Sequence, residues 1–134
     1  MIPLDLLDAI NIKVNRLVQY KSDHEVHGKD KWQMPAETLL LGTGDCEDYA
    51  ILKAHMLFKE GCDISDMRIG RFTTRDGKGH AMLLCRSEKP KGFFKWKTWN
   101  PVEYVLDNRT NNIYTVDEIS DVLTTIVQVS TYVH

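Results

Sequence analysis

The sequence predicts an α+β fold in which helices come first and an antiparallel sheet follows. Two patterns support this prediction. Apolar residues recur at three- and four-residue steps up to about Lys59, which is typical of amphipathic helices. From Met67 onward apolar residues alternate with polar ones, which is typical of strands. With 134 residues and no visible repeat or linker, we expect one domain, residues 1–134.

The N-terminal half predicts three helices. The first carries an apolar stripe made of Leu4, Leu7, Ile10, Val14, Leu17 and Val18. After a polar loop at Lys21 to Lys31, Pro35 suits the first turn of a second helix that runs to Leu41. Asp45 is the predicted N-cap of a third helix from Cys46 to Lys59.

The C-terminal half predicts strands. Met67 to Thr73 and His80 to Cys85 flank a turn-rich connection and should form a hairpin. The later elements we expect, in chain order, are strands at Gly92 to Trp99 and Glu103 to Leu106, a short helix around Val116 to Val122, and a last strand at Thr125 to Tyr132. The stretch Lys89 to Lys97 is rich in lysine and aromatic residues. We interpret it as an edge strand whose lysines prevent pairing with other chains, in preference to a surface that binds a partner.

Composition and charge exclude several classes of function. The net charge is −2 and the lysines and arginines are scattered, so the sequence predicts no basic surface that would bind nucleic acid. No apolar run approaches the roughly 18 residues of a membrane span, and the N-terminus lacks the features of a signal peptide. The three cysteines suit a reducing compartment, and the histidines and cysteines lack zinc-site spacing. We therefore expect a cytoplasmic or virion-associated protein; the oligomeric state stays open.

The stretch Gly44 to Ala50 carries the strongest candidate for chemistry, a cysteine at the start of a helix. The first helical turn offers unpaired backbone N–H groups and the positive end of the helix dipole, and both favour a thiolate at Cys46. Asp45, Glu47 and Asp48 oppose this effect, because nearby negative charge disfavours ionisation of a thiol.

A nucleophilic cysteine also needs a general base and a group that orients the base. His80 begins a predicted strand and Asp107 directly follows another, so their side chains could converge with Cys46 at one edge of the sheet. Each residue also has an ordinary interpretation, since histidines that begin strands are usually structural and Asp-Asn pairs often form turns. Most cysteines are small buried hydrophobes, which is our interpretation of Cys62 and Cys85.

Four blocks in order resemble the bacterial transglutaminase-like cysteine proteinases, the LapG-like family. They span Trp32 to Asn108 and read Trp32-x-x-Pro35-x-Glu37-Thr38-Leu39, Gly44-Asp45-Cys46-Glu47-Asp48-Tyr49-Ala50-Ile51-x-Lys53, Gly79-His80-Ala81-Met82-Leu83 and Val105-Leu106-Asp107-Asn108. The resemblance implies a papain- and transglutaminase-like fold, with the catalytic helix packed on an antiparallel sheet. It also implies a Cys-His-Asp triad in which Cys46 is the nucleophile, His80 the general base and acid, and Asp107 the residue that orients His80.

The acidic residues beside Cys46 have two interpretations. In the first, they favour the helix start, with Asp45 as its cap. Alternatively they bind Ca²⁺, because hard cations prefer oxygen ligands and calcium dependence is known in the LapG branch of the family. The resemblance extends this hypothesis to Asp45, Glu47 and Asp48, although consecutive helical side chains diverge. No other cofactor is expected for the chemistry.

The resemblance implies a thiol protease, a hydrolase that cleaves a protein or peptide through a thioacyl-enzyme. Acyl transfer to an amine and a noncatalytic binding or assembly module, for example in a virion, are the alternatives that we keep open. Family members that process surface adhesins are longer and exported. The 134-residue length therefore favours a compact intracellular or phage-encoded member with another substrate.

Overall fold

The computed structural model describes residues 1–22, 32–87 and 102–132. Among these residues, three α-helices lie in the first part of the chain: α1 (Leu4–Leu17), α2 (Pro35–Leu41) and α3 (Cys46–Lys59). These bounds confirm the predicted helices. Proline stands at the start of α2, and Gly42 ends it in the left-handed region at φ 66°, where its N–H donates to the Thr38 carbonyl.

The described part of the chain contains seven strands in two sheets. In chain order they are β1 (Gln19–Tyr20), β2 (Thr43–Gly44), β3 (Met67–Thr73), β4 (Gly79–Ser87), β5 (Val102–Leu106), β6 (Tyr114–Thr115) and β7 (Val122–Val127). The larger sheet has the order β6-β5-β4-β3-β7, and all its neighbours are antiparallel. The short parallel pair β1 and β2 joins the end of α1 to the approach to α3. The predicted hairpin and the strand before Asp107 are confirmed.

The end of the chain differs from the prediction. The helix expected at Val116 to Val122 is a single 3-10 turn, Val116–Glu118, enclosed by a capping box between Thr115 and Glu118. The strand expected at Thr125 to Tyr132 lies earlier, at Val122–Val127, because this β-branched run pairs with β3. A second 3-10 turn, Val129–Thr131, follows it.

Some predictions fall outside the described residues. These are the strand at Gly92 to Trp99, the lysine-rich surface at Lys89 to Lys97 and most of the loop at Lys21 to Lys31, with His24 and His27. They stay predictions. Among the helices that the structure describes, none combines the length and apolarity that a bilayer crossing needs.

The core lies between the helices and one face of the larger sheet. α3 packs on β4 and against α1, and its buried apolar side chains are Tyr49, Ala50, Ile51, Leu52, Ala54 and Leu57. Burial of side chains all round α3 fixes this helix firmly, since each buried aliphatic side chain contributes about 1.5–3 kcal/mol. The N-terminus of α3 is thereby held beside the first residues of β4.

Candidate active site

Cys46 is the first residue of α3, and a capping box fixes its position. The Asp48 N–H donates to Oδ1 of Asp45 at 3.3 Å, and the Asp45 N–H donates to Oδ2 of Asp48 at 3.0 Å. This reciprocal arrangement satisfies two backbone donors at the helix start. The prediction that Asp45 is the N-cap is confirmed.

Asp48 also ties the preceding segment to the helix. Its carboxylate is fully buried, and its Oδ1 accepts the Gln33 N–H at 2.7 Å. Gly44 leaves room for this side chain, because a Cβ at residue 44 would lie 2.7 Å from the Asp48 Cβ. Asp48 thus holds the chain beside Trp32 against the start of α3.

His80 and Asp107 are directly hydrogen-bonded. His80 Nε2 lies 2.8 Å from Oδ1 of Asp107, and both side chains are less than a tenth exposed. His80 is the second residue of β4, and Asp107 directly follows β5. The antiparallel register, with Leu83 opposite Leu106, brings the end of β5 to the beginning of β4.

The thiol of Cys46 lies beside the same strand. The backbone N–H of Ala81, the residue after His80, donates to Cys46 Sγ at 3.4 Å. A helix start, a strand start and a strand end therefore meet at one site. The structure pairs His80 with Asp107 and brings the Cys46 thiol into contact with Ala81, the residue after His80.

The surroundings of Cys46 favour the neutral thiol. Burial raises its pKa well above the ordinary value, and the negative charge of Glu47 raises it further. The thiol donates to Oε2 of Glu47, with 3.2 Å between sulfur and oxygen. The N–H of Ala81 acts in the opposite direction because it stabilises a thiolate. Glu47 thus engages the thiol directly, a contact that neither sequence interpretation of the acidic residues included.

Asp107 stays ionised despite its burial. Burial alone would raise its pKa, but hydrogen bonds from His80 and Arg109 hold the pKa well below its ordinary value. Arg109 donates to Asp107 through Nε at 2.8 Å and through its backbone N–H at 3.0 Å, and it also bonds Asp121 at 2.7 Å. The sequence analysis missed Arg109, although a cation two residues after a candidate catalytic aspartate was a usable signal.

Two pockets flank His80. One has a volume of about 410 Å³ and is bordered by Tyr20, Lys78, Asn108 and Arg109, among others. The other, about 440 Å³, contains Trp32, Glu47 and Arg71 in its wall, and Gly79 and His80 line both. The Arg71 guanidinium lies 4.8 Å from the centre of the Trp32 ring. Trp32 is a cleft-wall residue.

The acidic residues next to Cys46 do not form a three-carboxylate metal cluster. Across residues 1–22, 32–87 and 102–132, no group of three or more His, Cys, Asp or Glu side chains is placed to hold a metal ion. Both oxygens of Asp48 already accept backbone N–H groups, so Asp48 supports the helix start. Asp45 and Glu47, on either side of the thiol, are the carboxylates that fit the calcium hypothesis.

The other two cysteines have no comparable partners among the described residues. Cys85 is fully buried and Cys62 is half-buried. Burial raises the pKa of both thiols, as expected for small hydrophobes.

Solved structures of Legionella pneumophila LapG share the fold, at 23% identity and a TM-score of 0.72 over 92% of this chain and 64% of that chain. Calcium-bound LapG is 25% identical, with a TM-score of 0.70 over 90% of this chain and 61% of that chain. EGTA-treated LapG is 24% identical, with a TM-score of 0.70 over 89% of this chain and 59% of that chain. The chain thus spans about three fifths of the LapG chains that it matches.

These neighbours confirm the papain- and transglutaminase-like fold. No curated protein sequence matches the chain significantly. The family model described as "Bacterial transglutaminase-like cysteine proteinase BTLCP" matches residues 3–122. The chain therefore belongs to the family of bacterial transglutaminase-like cysteine proteinases.

Proposed function

We propose that this protein is a cysteine peptidase that cleaves a protein substrate with Cys46, His80 and Asp107. The observation that carries the proposal is the 2.8 Å bond from His80 to Asp107 beside a thiol that contacts the next residue of β4. Covalent cysteine catalysis needs a nucleophile, a base and a carboxylate that orients the base, and Cys46, His80 and Asp107 supply these three groups around the start of β4.

The geometry suggests a role for each ring nitrogen of His80. Asp107 engages Nε2, so Nδ1 is the nitrogen that would accept the thiol proton. Cys46 Sγ would then attack the substrate carbonyl carbon, and the backbone N–H of Cys46 at the helix start would stabilise the oxyanion. His80 would return the proton to the leaving amine as the C–N bond breaks. A water molecule, deprotonated by His80, would finally hydrolyse the thioester.

Two pockets that share Gly79 and His80 in their walls suit an extended substrate. Trp32 and Arg71 in one wall and Lys78 and Arg109 in the other would contact different residues of that substrate. Binding across both pockets would place the substrate over His80, whose neighbour Ala81 contacts the Cys46 thiol.

The decisive experiment is site-resolved thiol labelling. The protein is treated with iodoacetamide at pH 7 in the presence of Ca²⁺, and the labelled cysteine is identified by peptide mass spectrometry. We expect Cys46 to react fastest, and Cys46→Ala to lose both that labelling and peptide cleavage without loss of melting temperature. The matched control is Cys62→Ala, which removes another half-buried thiol. A Cys46 that is inert while Cys62 or Cys85 reacts would contradict the proposal.

We also propose calcium dependence through Asp45 and Glu47. LapG has been solved with calcium bound and after EGTA treatment. In this chain a bound Ca²⁺ would supply positive charge beside a thiol that burial and Glu47 otherwise keep neutral. Titrating Ca²⁺ and EGTA should change melting temperature and Cys46 labelling together, and Asp45→Asn should remove the response. No change in either measurement would leave only the helix-capping role.

One observation favours a second candidate, a noncatalytic binding module. Burial and the bond to Glu47 hold Cys46 in its unreactive form. In that case the thiol should stay unlabelled in both Ca²⁺ and EGTA. If the thiol is active, adding a primary amine separates transfer from hydrolysis, since transfer gives a conjugated product. Residence in the cytoplasm or in a virion stays a prediction from the sequence.

A further inference from the structure

A lysine on the Cys46 helix is completely buried. Lys53 lies two turns after Cys46 on α3 and is 0% exposed. Its Nζ donates to Oδ1 of Asn11 on α1 at 2.7 Å. Charged side chains are almost never buried this deeply without a specific partner. The triad chemistry described above makes no use of this lysine.

Asn11 also binds the loop that follows β5. Its Nδ2 donates to the backbone carbonyls of Thr110 and Asn111, each at 3.2 Å. Asn15, one turn further along α1, donates through its Nδ2 to the carbonyls of Asp107 and Thr110, each at 3.0 Å. Two amide side chains of one helix thus bind the backbone of residues 107–111.

We propose that Lys53, Asn11 and Asn15 are positioning residues, which hold the 107–111 loop so that the Asp107 carboxylate stays aligned with His80. The inference rests on the proposed function, because alignment matters only if His80 acts. The network joins α3, which carries Cys46, to the loop that carries Asp107. It therefore fixes the nucleophile and the orienting carboxylate relative to one another through α1.

A purely structural role would not require these residue types. Well-packed apolar side chains often stabilise a core as well as a buried polar network does, or better. Burial lowers the pKa of Lys53 to about 7, yet both the ammonium and the amine retain an N–H for Asn11. The hydrogen bond to Asn11 therefore persists in either protonation state. The residues hold one particular loop conformation in place.

The test replaces the polar pair with an apolar one. In Asn11→Leu/Lys53→Met both partners are removed together, so no buried polar atom of the pair is left unsatisfied. The second variant, Asn15→Leu, removes three hydrogen bonds that the half-buried Asn15 donates to Asp107, Thr110 and Asn111, and it leaves the buried lysine paired. The control is Ser87→Ala, which removes a buried hydrogen bond to the Ile2 carbonyl at the far end of β4.

Two measurements are made on each variant. Nitrogen-15 NMR of the His80 ring reports whether Nε2 carries a proton bonded to Asp107, and it needs no substrate. Iodoacetamide labelling of Cys46 across pH reports the action of His80 on the thiol. We expect both network variants to lose the Nε2 signature and to label about tenfold to a hundredfold more slowly near neutral pH. Ser87→Ala should match the unmodified protein in both.

The outcomes separate the two proposals. An unchanged His80 signature and labelling profile in the folded double variant or in Asn15→Leu overturns the positioning role, as does an equal loss in Ser87→Ala. If the network variants change the His80 signature but the unmodified protein cleaves no peptide, the positioning role is supported and the proposed function fails. Should the double variant not fold, Asn15→Leu decides the question alone.

Discussion

Glu47→Gln tests whether the carboxylate beside Cys46 suppresses its reactivity. Sulfur and Oε2 are 3.2 Å apart, so a full charge on Glu47 opposes a thiolate by about 1.3 kcal/mol at the dielectric constant of water. At an effective value near 20 the same charge opposes it by about 5 kcal/mol. Glutamine keeps the shape and an acceptor oxygen but removes the charge, while the effect of burial persists.

The expected change in labelling follows from these energies. Each 1.4 kcal/mol is tenfold, so the thiolate population at pH 7 should rise at least about tenfold. A thiolate of lower pKa is intrinsically less reactive, which cancels close to half of the gain on a logarithmic scale. The observed rate of Cys46 labelling should therefore rise between about threefold and about a hundredfold.

The assay is iodoacetamide labelling in EGTA at pH 7, with Cys46 identified by mass spectrometry. Glu60→Gln is the matched control, since it removes the same charge at the far end of α3, about 20 Å away by the helical rise. If Glu47 is also a calcium ligand, added Ca²⁺ should accelerate the unmodified protein but not Glu47→Gln. An unchanged or slower rate for Glu47→Gln in EGTA would refute the reasoning.

Three further predictions concern the support of the site. Asp107→Asn should keep the fold but lower peptide cleavage roughly a hundredfold or more, because His80 loses its carboxylate partner. Arg109→Met should lower the melting temperature at neutral pH. Since the depressed pKa of Asp107 contributes stability above about pH 4 that is lost on acidification, the two melting curves should converge in acid; a constant difference would contradict this. Gly44→Ala should destabilise the protein by about 1–3 kcal/mol in urea titrations, because its Cβ would overlap Asp48; wild-type stability would show that the loop adapts.

Most of the predicted elements are confirmed in the described residues. They could be predicted because the pattern that defines each of them lies within a short stretch of sequence. Asp45 precedes an apolar helical pattern, and the structure has the N-cap and the first residue of α3 where the sequence placed them. The hairpin of β3 and β4 likewise follows from alternation around a turn. The prediction was wrong for the last strand, which we expected at Thr125 to Tyr132. Pairing with β3 places this strand at Val122–Val127 instead.

The sequence by itself determined the three helices, the hairpin of β3 and β4, the placement of Cys46 at a helix start and, through its motifs, the family. Tertiary structure decided which side chains meet there. The bond from His80 to Asp107 spans 27 residues, and the bond from Lys53 to Asn11 spans 42. Such contacts depend on strand register and on how helices pack, neither of which is encoded in a short stretch of chain. The same is true of Glu47, whose approach to the thiol depends on the packing around the start of α3.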